Sequence, residues 1–195
     1  MVLTKLIFSG IVTVMVLQRL LELQISQRNK KEIFKRGGQE RDTNSLGLVK
    51  LLQVSWCIAA ISEVWLLDCP FIPVLGVVAL AAVGLGQLLR YLSMRSLSWR
   101  WTLSIMTVPN LPVVDTGIYR YLRHPNWLGV ILEIAALPLI HSAYLTAIVF
   151  TTVNAFLMSK RIQAEEKALS KDTNYASVFA ERPRFVPAIL PKVWG

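Results

Sequence analysis

The chain has 195 residues, 54% hydrophobic and 17% charged, with 21 Lys and Arg against 12 Asp and Glu for a formal net charge of +9. A mean hydropathy of +0.49, with a charged fraction below the roughly 25% of globular chains, excludes an ordinary soluble domain. The positive charge alone would suit nucleic acid, but the long apolar runs assign it to membrane topology, so no nucleic-acid partner is expected. Cys57 and Cys69 form neither a disulfide framework nor a metal-ligand spacing, and no metal is expected.

Residues 3–25 form the first apolar run. About twenty residues at a rise of about 1.5 Å each cross the hydrocarbon layer. No small-residue cleavage site follows the run, so it is expected to stay as an anchor rather than leave as a signal peptide. Arg19 and Glu22 lie three apart on one face near its end, where they can pair or snorkel. Residues 27–45, with Arg28, Lys30, Lys31, Lys35, Arg36 and Arg41, read as a polar basic loop, and Gly37-Gly38 breaks any helix there.

Residues 46–67 form a second span, interrupted by Lys50 near one end and Glu63 toward the other. The Asp68-Cys69-Pro70 turn holds no basic residue. A third span covers 71–92, where Gly76, Ala79, Gly84 and Gly86 leave room for close helix approach. Arg95, Trp99, Arg100 and Trp101 then suit the headgroup zone.

Pro109 and Pro112 end helical character over 102–116, and 113–117 reads as extended, then turning. Irregular backbone beside a membrane is tolerated where protein buries it or a wet cavity lies next to it, which marks a candidate binding wall. Spans four and five are read at 125–140, bent by Pro138 at its far end, and at 143–158. The fifth continues as a polar helix through Leu169. Tyr175 and the 182–187 stretch form an irregular cap.

Lysine and arginine concentrate after spans one, three and five and are missing from the turns after spans two and four. By the positive-inside tendency the N-terminus faces out and the C-terminus is cytoplasmic. The expected fold is an all-α integral-membrane protein, a single domain over 1–195 with five transmembrane helices. Segments 93–124 and 159–187 form its cytoplasmic cofactor pocket.

Basic, aromatic and imidazole groups crowd into 117–127, and Pro125 suits the first turn of a helix whose N-terminus favours anionic groups. Arg120 and Arg123 alone would indicate no more than a positive stop beside a membrane helix. Arg161 and Glu165, one turn apart, fit either a surface ion pair or a site. His124 fits a hydrogen-bonded interface histidine or a functional one. Glu133, two turns into span four, is either functional or paired with Lys50, Arg90 or a neighbouring helix. Glu63 reads as structural and His141 as inert.

In order, Val113-Val114, Gly117-Ile118-Tyr119, Arg123-His124-Pro125, Trp127, Arg161, Glu165-Glu166 and Tyr175 resemble the isoprenylcysteine carboxyl methyltransferase family over about the C-terminal half of the chain. Within it the chain is most similar to short bacterial members that methylate alkylpyrone-type lipids, which implies the bacterial inner membrane. The resemblance implies an O-methyltransferase using S-adenosyl-L-methionine without a dinucleotide-binding domain, and no Gly-x-Gly-x-x-Gly follows a predicted strand. The implied acceptor is the carboxylate or acidic hydroxyl of a lipophilic or lipidated molecule, reached from membrane lipid.

Carried over by motif, Leu111, Pro112, Val113, Val114, Tyr119, His124, Pro125, Asn126, Trp127 and Glu165 would hold the cofactor, and Arg161 the acceptor's polar head. Arg161, His124 and Glu133 are the catalytic candidates. Leu111 stands where many members have histidine, and Trp127 where tyrosine is usual. Alternatives are a phospholipid N-methyltransferase or thiol S-methyltransferase of the same superfamily, and more remotely a non-enzymatic membrane protein. A transporter would place ionisable groups and broken helices near mid-bilayer.

Overall fold

In the computed structural model, which describes residues 2–42 and 45–185, the chain is predominantly helical. Its long helices are α1 (Val2–Lys35), α2 (Ser45–Leu66), α3 (Pro73–Leu97), α4 (Pro125–Ala136) and α5 (Tyr144–Asp172), followed by a short α6 (Tyr175–Phe179). Among the described residues, three segments are long and apolar enough to cross a membrane: Val2–Lys35, Leu46–Leu66 and Pro73–Arg100. A shorter apolar segment covers Pro125–His141, where α4 stops before Pro138 and a 3-10 turn follows. Helix α5 runs unbroken for 29 residues, its apolar first half passing into the polar second half.

Two expectations are corrected. The basic stretch after residue 25 is not a loop as far as 35. Helix α1 continues to Lys35, because Arg28, Lys30, Lys31, Glu32 and Lys35 are good helix formers and nothing breaks the pattern before Gly37-Gly38. At about 1.5 Å per residue α1 is about 51 Å long, longer than the roughly 30 Å hydrocarbon core, so its last turns project beyond the lipid.

The fold is also not purely helical. Strands β1 (Gln39–Asp42) and β2 (Ile105–Thr107) pair antiparallel, with Gln39 opposite Thr107, Glu40 opposite Met106 and Asp42 opposite Ile105 across a bulge. The extended backbone thus pairs at 105–107 rather than at 113–116. The β-branched Ile105 and Thr107 are buried there.

Packing inside the bundle relies on close contact, because lipid is as apolar as the core and supplies no hydrophobic drive between helices. Phe8, Val12, Trp56, Ala60, Val64, Val83, Val130 and Ile134 make that core. Helices α3 and α4 meet backbone to backbone. A Cβ on Gly129 would lie 2.6 Å from the Gly86 carbonyl oxygen, and one on Gly86 would lie 2.9 Å from that of Gly129. Gly76 packs against Phe71 and the Ile140 carbonyl, whereas Gly84 meets nothing within 4 Å. Outward, apolar residues such as Leu3, Leu51, Val74 and Val77 are exposed, as a lipid-facing surface requires.

At the end of the bundle away from β1 and β2, Glu63 accepts the Leu145 and Thr146 N–H groups at 2.9 and 2.7 Å. It thereby satisfies two of the orphan donors at the start of α5. His141 there is buried between the Phe8 and Phe71 rings and hydrogen-bonds Thr4, and Lys5 pairs with Asp68. Both readings, structural for Glu63 and inert for His141, agree with these contacts.

Candidate functional site

Segment 117–127 leads into α4 through a 3-10 turn, Gly117–Arg120. Gly117 has φ +60, and a Cβ there would fall 2.3 Å from Ser96 Oγ, so only glycine fits this elbow. Pro125 is the first residue of α4. The polar half of α5 crosses behind the elbow and brings Arg161, Glu165 and Glu166 against it.

The two neighbouring glutamates have different partners. Trp127 Nε1–H donates to Glu165 Oε2 at 2.8 Å, and the Glu165 side chain keeps 31% exposure. Glu166 is the more enclosed of the two. It receives two bonds from Arg184, at 2.9 and 2.6 Å, and one from His124 Nε2–H at 3.0 Å. Burial works to raise the Glu166 carboxyl, but the hydrogen bonds from Arg184 and His124 outweigh it and hold the group below its ordinary value. With Nε2 carrying the proton toward Glu166, His124 turns Nδ1 toward Glu165, 3.9 Å away. Burial, and then the Glu165 charge, push the Tyr119 phenol up, so it stays protonated across the neutral range.

The C-terminal segment closes the site like a strap. The Arg123 and His124 N–H groups donate to the Pro183 and Arg184 carbonyls, Arg182 donates to the Tyr119 carbonyl at 2.9 Å, and the Phe185 ring stands 6.5 Å from His124. From the other side, Asn174 Oδ1 accepts the Val113 N–H at 2.9 Å, fixing the 111–114 wall to the start of α6. Residues 186 and 187, the end of the expected cap, lie outside the described residues.

Two cavities meet here. The smaller, about 130 Å³, is lined by Leu111, Pro112, Val113, Val114, Tyr119, His124 and Glu165. The larger, about 450 Å³, extends between α1 and α2 and is lined by Asn126, Trp127 and Arg161 together with Tyr119, His124 and Glu165. Asn126 Oδ1 and Arg123 Nε are buried without a hydrogen-bond partner among the described residues, which leaves both free to meet a polar ligand. Arg161 donates to the Leu103 carbonyl at 2.7 Å and lies 5.2 Å over the Trp127 ring.

The structure therefore brings together every residue assigned to the site from the sequence except two. Pro125 is buried at the helix start and borders neither cavity. Glu133 is turned away, in a buried cluster with Arg19, Arg90 and Glu22. The motif reading passed over Arg123, which borders both cavities, and Glu166 as an anchor for His124. The Glu165-Glu166 pair signalled the latter, whereas its partner Arg184 left no local trace.

A helical membrane protein with two adjoining cavities at one end, the larger reaching between its helices, is the class these features define. The isoprenylcysteine carboxyl methyltransferase (ICMT) family profile matches residues 77–171, and the chain belongs to this family of membrane methyltransferases. It is 33% identical over 162 residues to the uncharacterized protein YpbQ of Bacillus subtilis, covering 83% of this chain and 95% of that protein. An uncharacterized protein of Haemophilus influenzae is 27% identical over 158 residues, covering 78% and 88% of the two chains.

Proposed function

We propose that the protein transfers a methyl group from S-adenosyl-L-methionine to an acidic oxygen, a carboxylate or an acidic hydroxyl, of a lipophilic acceptor. The donor side would be the cytoplasmic face, in a five-crossing topology with the N-terminus outside. The observation that carries this reading is the junction of the two cavities at Tyr119, His124 and Glu165, one bordered by the 111–114 wall and the start of α6 and the other by the membrane helices α1 and α2.

The residues present fit the donor. The Glu165 carboxylate and the unpartnered Asn126 Oδ1 are acceptors suited to its ammonium or ribose hydroxyls. Leu111, Pro112, Val113 and Val114 offer apolar contact to its base, and Tyr119 and Trp127 offer aromatic faces to a cation. Bound there, S-adenosyl-L-methionine supplies a sulfonium methyl, whose transfer forms an O–CH3 bond as the S–CH3 bond breaks.

This chain's own work is alignment and water exclusion, because an in-line displacement gains most from positioning. Arg161, fixed by the Leu103 carbonyl and by Trp127, aims a planar guanidinium at the acceptor oxygen. A carboxylate is already ionised at neutral pH and needs no base. For a hydroxyl, His124 Nδ1 is the group placed to take the proton. Glu133 has no such role, being committed to Arg19 and Arg90.

Calorimetric titration of the purified full chain with S-adenosyl-L-methionine, followed by transfer of labelled methyl to lipid extracts, tests the proposal. The expected result is saturable donor binding and label in a lipid. Label released as methanol by mild base marks a carboxyl ester, and base-stable label marks an ether. Absence of donor binding would overturn the reading, and label on a phospholipid amine or a thiol would replace the oxygen acceptor.

A further inference from the structure

Helix α2 presents one continuous stripe to the larger cavity, comprising Val49, Lys50, Gln53, Val54, Cys57 and Ile58. These positions recur at the three- and four-residue intervals of a single helix face. The polar pair Lys50 and Gln53 occupies the end nearer β1, and the apolar residues follow deeper. Among the described residues the wall is electropositive: Arg19, Lys50, Arg90, Arg123 and Arg161 line it with Glu22 and Glu165 as its acidic members. Arg19 and Arg90 are held by Glu22 and Glu133, and Arg161 by Leu103.

Lys50 differs from these. It lies within the membrane-crossing segment Leu46–Leu66, is exposed, and has no hydrogen bond or ion pair among the described residues. An ionisable group in such a helix is costly unless it meets water, a headgroup or a ligand of opposite charge.

We infer that Lys50 is a specificity-determining residue of the larger cavity, engaging an anionic group on the lipid as its polar end enters between α1 and α2. It reaches the cavity from α2, whereas Arg161 reaches it from α5. Gln53, one turn deeper on the same face, adds a hydrogen bond. The inference rests on the larger cavity being the acceptor's site, and it predicts that entry selects acids over their neutral esters before any chemistry occurs. Selection of this kind also favours release of the product, because methylating the acid removes the charge that Lys50 holds.

The full chain in detergent is titrated with cis-parinarate, a fluorescent long-chain acid, and with its methyl ester. Energy transfer is read from tryptophans, three of which, Trp56, Trp101 and Trp127, line the cavity. Lys50→Gln is expected to weaken the acid about tenfold and leave the ester unchanged, the size of effect expected for one charge-assisted contact. Lys50→Arg is expected to remain within about twofold of the unaltered chain. Acid binding unchanged in Lys50→Gln, or acid and ester weakened alike, or no recovery in Lys50→Arg, would overturn the inference. Calorimetry with S-adenosyl-L-methionine on the same proteins separates the two readings. Loss of donor binding in the unaltered chain alongside the Lys50 pattern would remove the donor assignment and leave the anion subsite standing.

Discussion

Glu165 and Glu166 are adjacent in sequence but differ in the number of donors they serve, and under the proposed reaction this would separate donor contact from scaffolding. Glu165 takes one N–H, from Trp127, and keeps a free face toward both cavities. Glu166 is saturated by Arg184 and His124. Glu165→Gln keeps an acceptor for the indole N–H while removing the charge. It is expected to weaken S-adenosyl-L-methionine by at least about tenfold with an unchanged melting temperature, consistent with loss of one charge-assisted contact. Calorimetry and a thermal scan of the same sample check this, and unaltered affinity would remove Glu165 from the donor site.

Glu133 should behave in the opposite way. With side-chain exposure of 1% and its partners in Arg19 and Arg90, Glu133→Gln leaves a buried positive charge uncompensated. Breaking such a pair costs about 3–5 kcal/mol. The expected outcome is a clearly lowered melting temperature in detergent with turnover per folded molecule little changed. A large loss of turnover at full stability would return Glu133 to the chemistry.

At the scale of elements, the projecting end of α1 and the pairing of β1 with β2 were the parts least visible in the sequence, whereas a cap over 182–185 was expected. The elbow at 117–127 and the one-turn spacing of Arg161 and Glu165 were legible because they are local patterns with fixed helical geometry. By contrast, Glu63 caps a helix 82 residues downstream, and β1 finds its partner 66 residues away in β2. Neither pairing has a signal within its own window, since Gln39–Asp42 is polar throughout and Ile105–Thr107 is only three residues long.

The strap rests on Glu166. Because its carboxyl is held low, the group contributes stability that is present above the unfolded pKa of about 4.3 and is lost as pH falls through the still lower folded value. Closure should therefore be complete at neutral pH and fail in acid. Glu166→Gln, which keeps Arg184 as a tryptic site, should release the strap at neutral pH and speed cleavage between Arg184 and Phe185. Unchanged proteolysis would show that the backbone bonds to Arg123 and His124 hold the strap unaided.

For the whole molecule, the two ends of the bundle differ in charge as sharply as in structure. One end holds Arg28, Lys31, Lys35, Arg36, Arg100 and Lys160, with Arg36 and Arg100 stacked on Trp99 at 4.1 and 5.2 Å. At the other, Lys5 is neutralised by Asp68, and Glu63 and His141 serve internal contacts. Both cavities belong to the basic end, so in the proposed reaction the orientation expected from the positive-inside tendency also sets which compartment would supply the methyl donor. With the basic end in the cytoplasm, a water-soluble donor would reach the smaller cavity directly while the proposed acceptor would arrive through lipid. An alkaline phosphatase fusion in the turn after Asp68 should be active and one after Gly37 inactive, and a fluorescent protein fused at the C-terminus should fold. The reverse pattern would turn the pocket outward, away from cytoplasmic donor, and the proposed reaction would have no route to its methyl group.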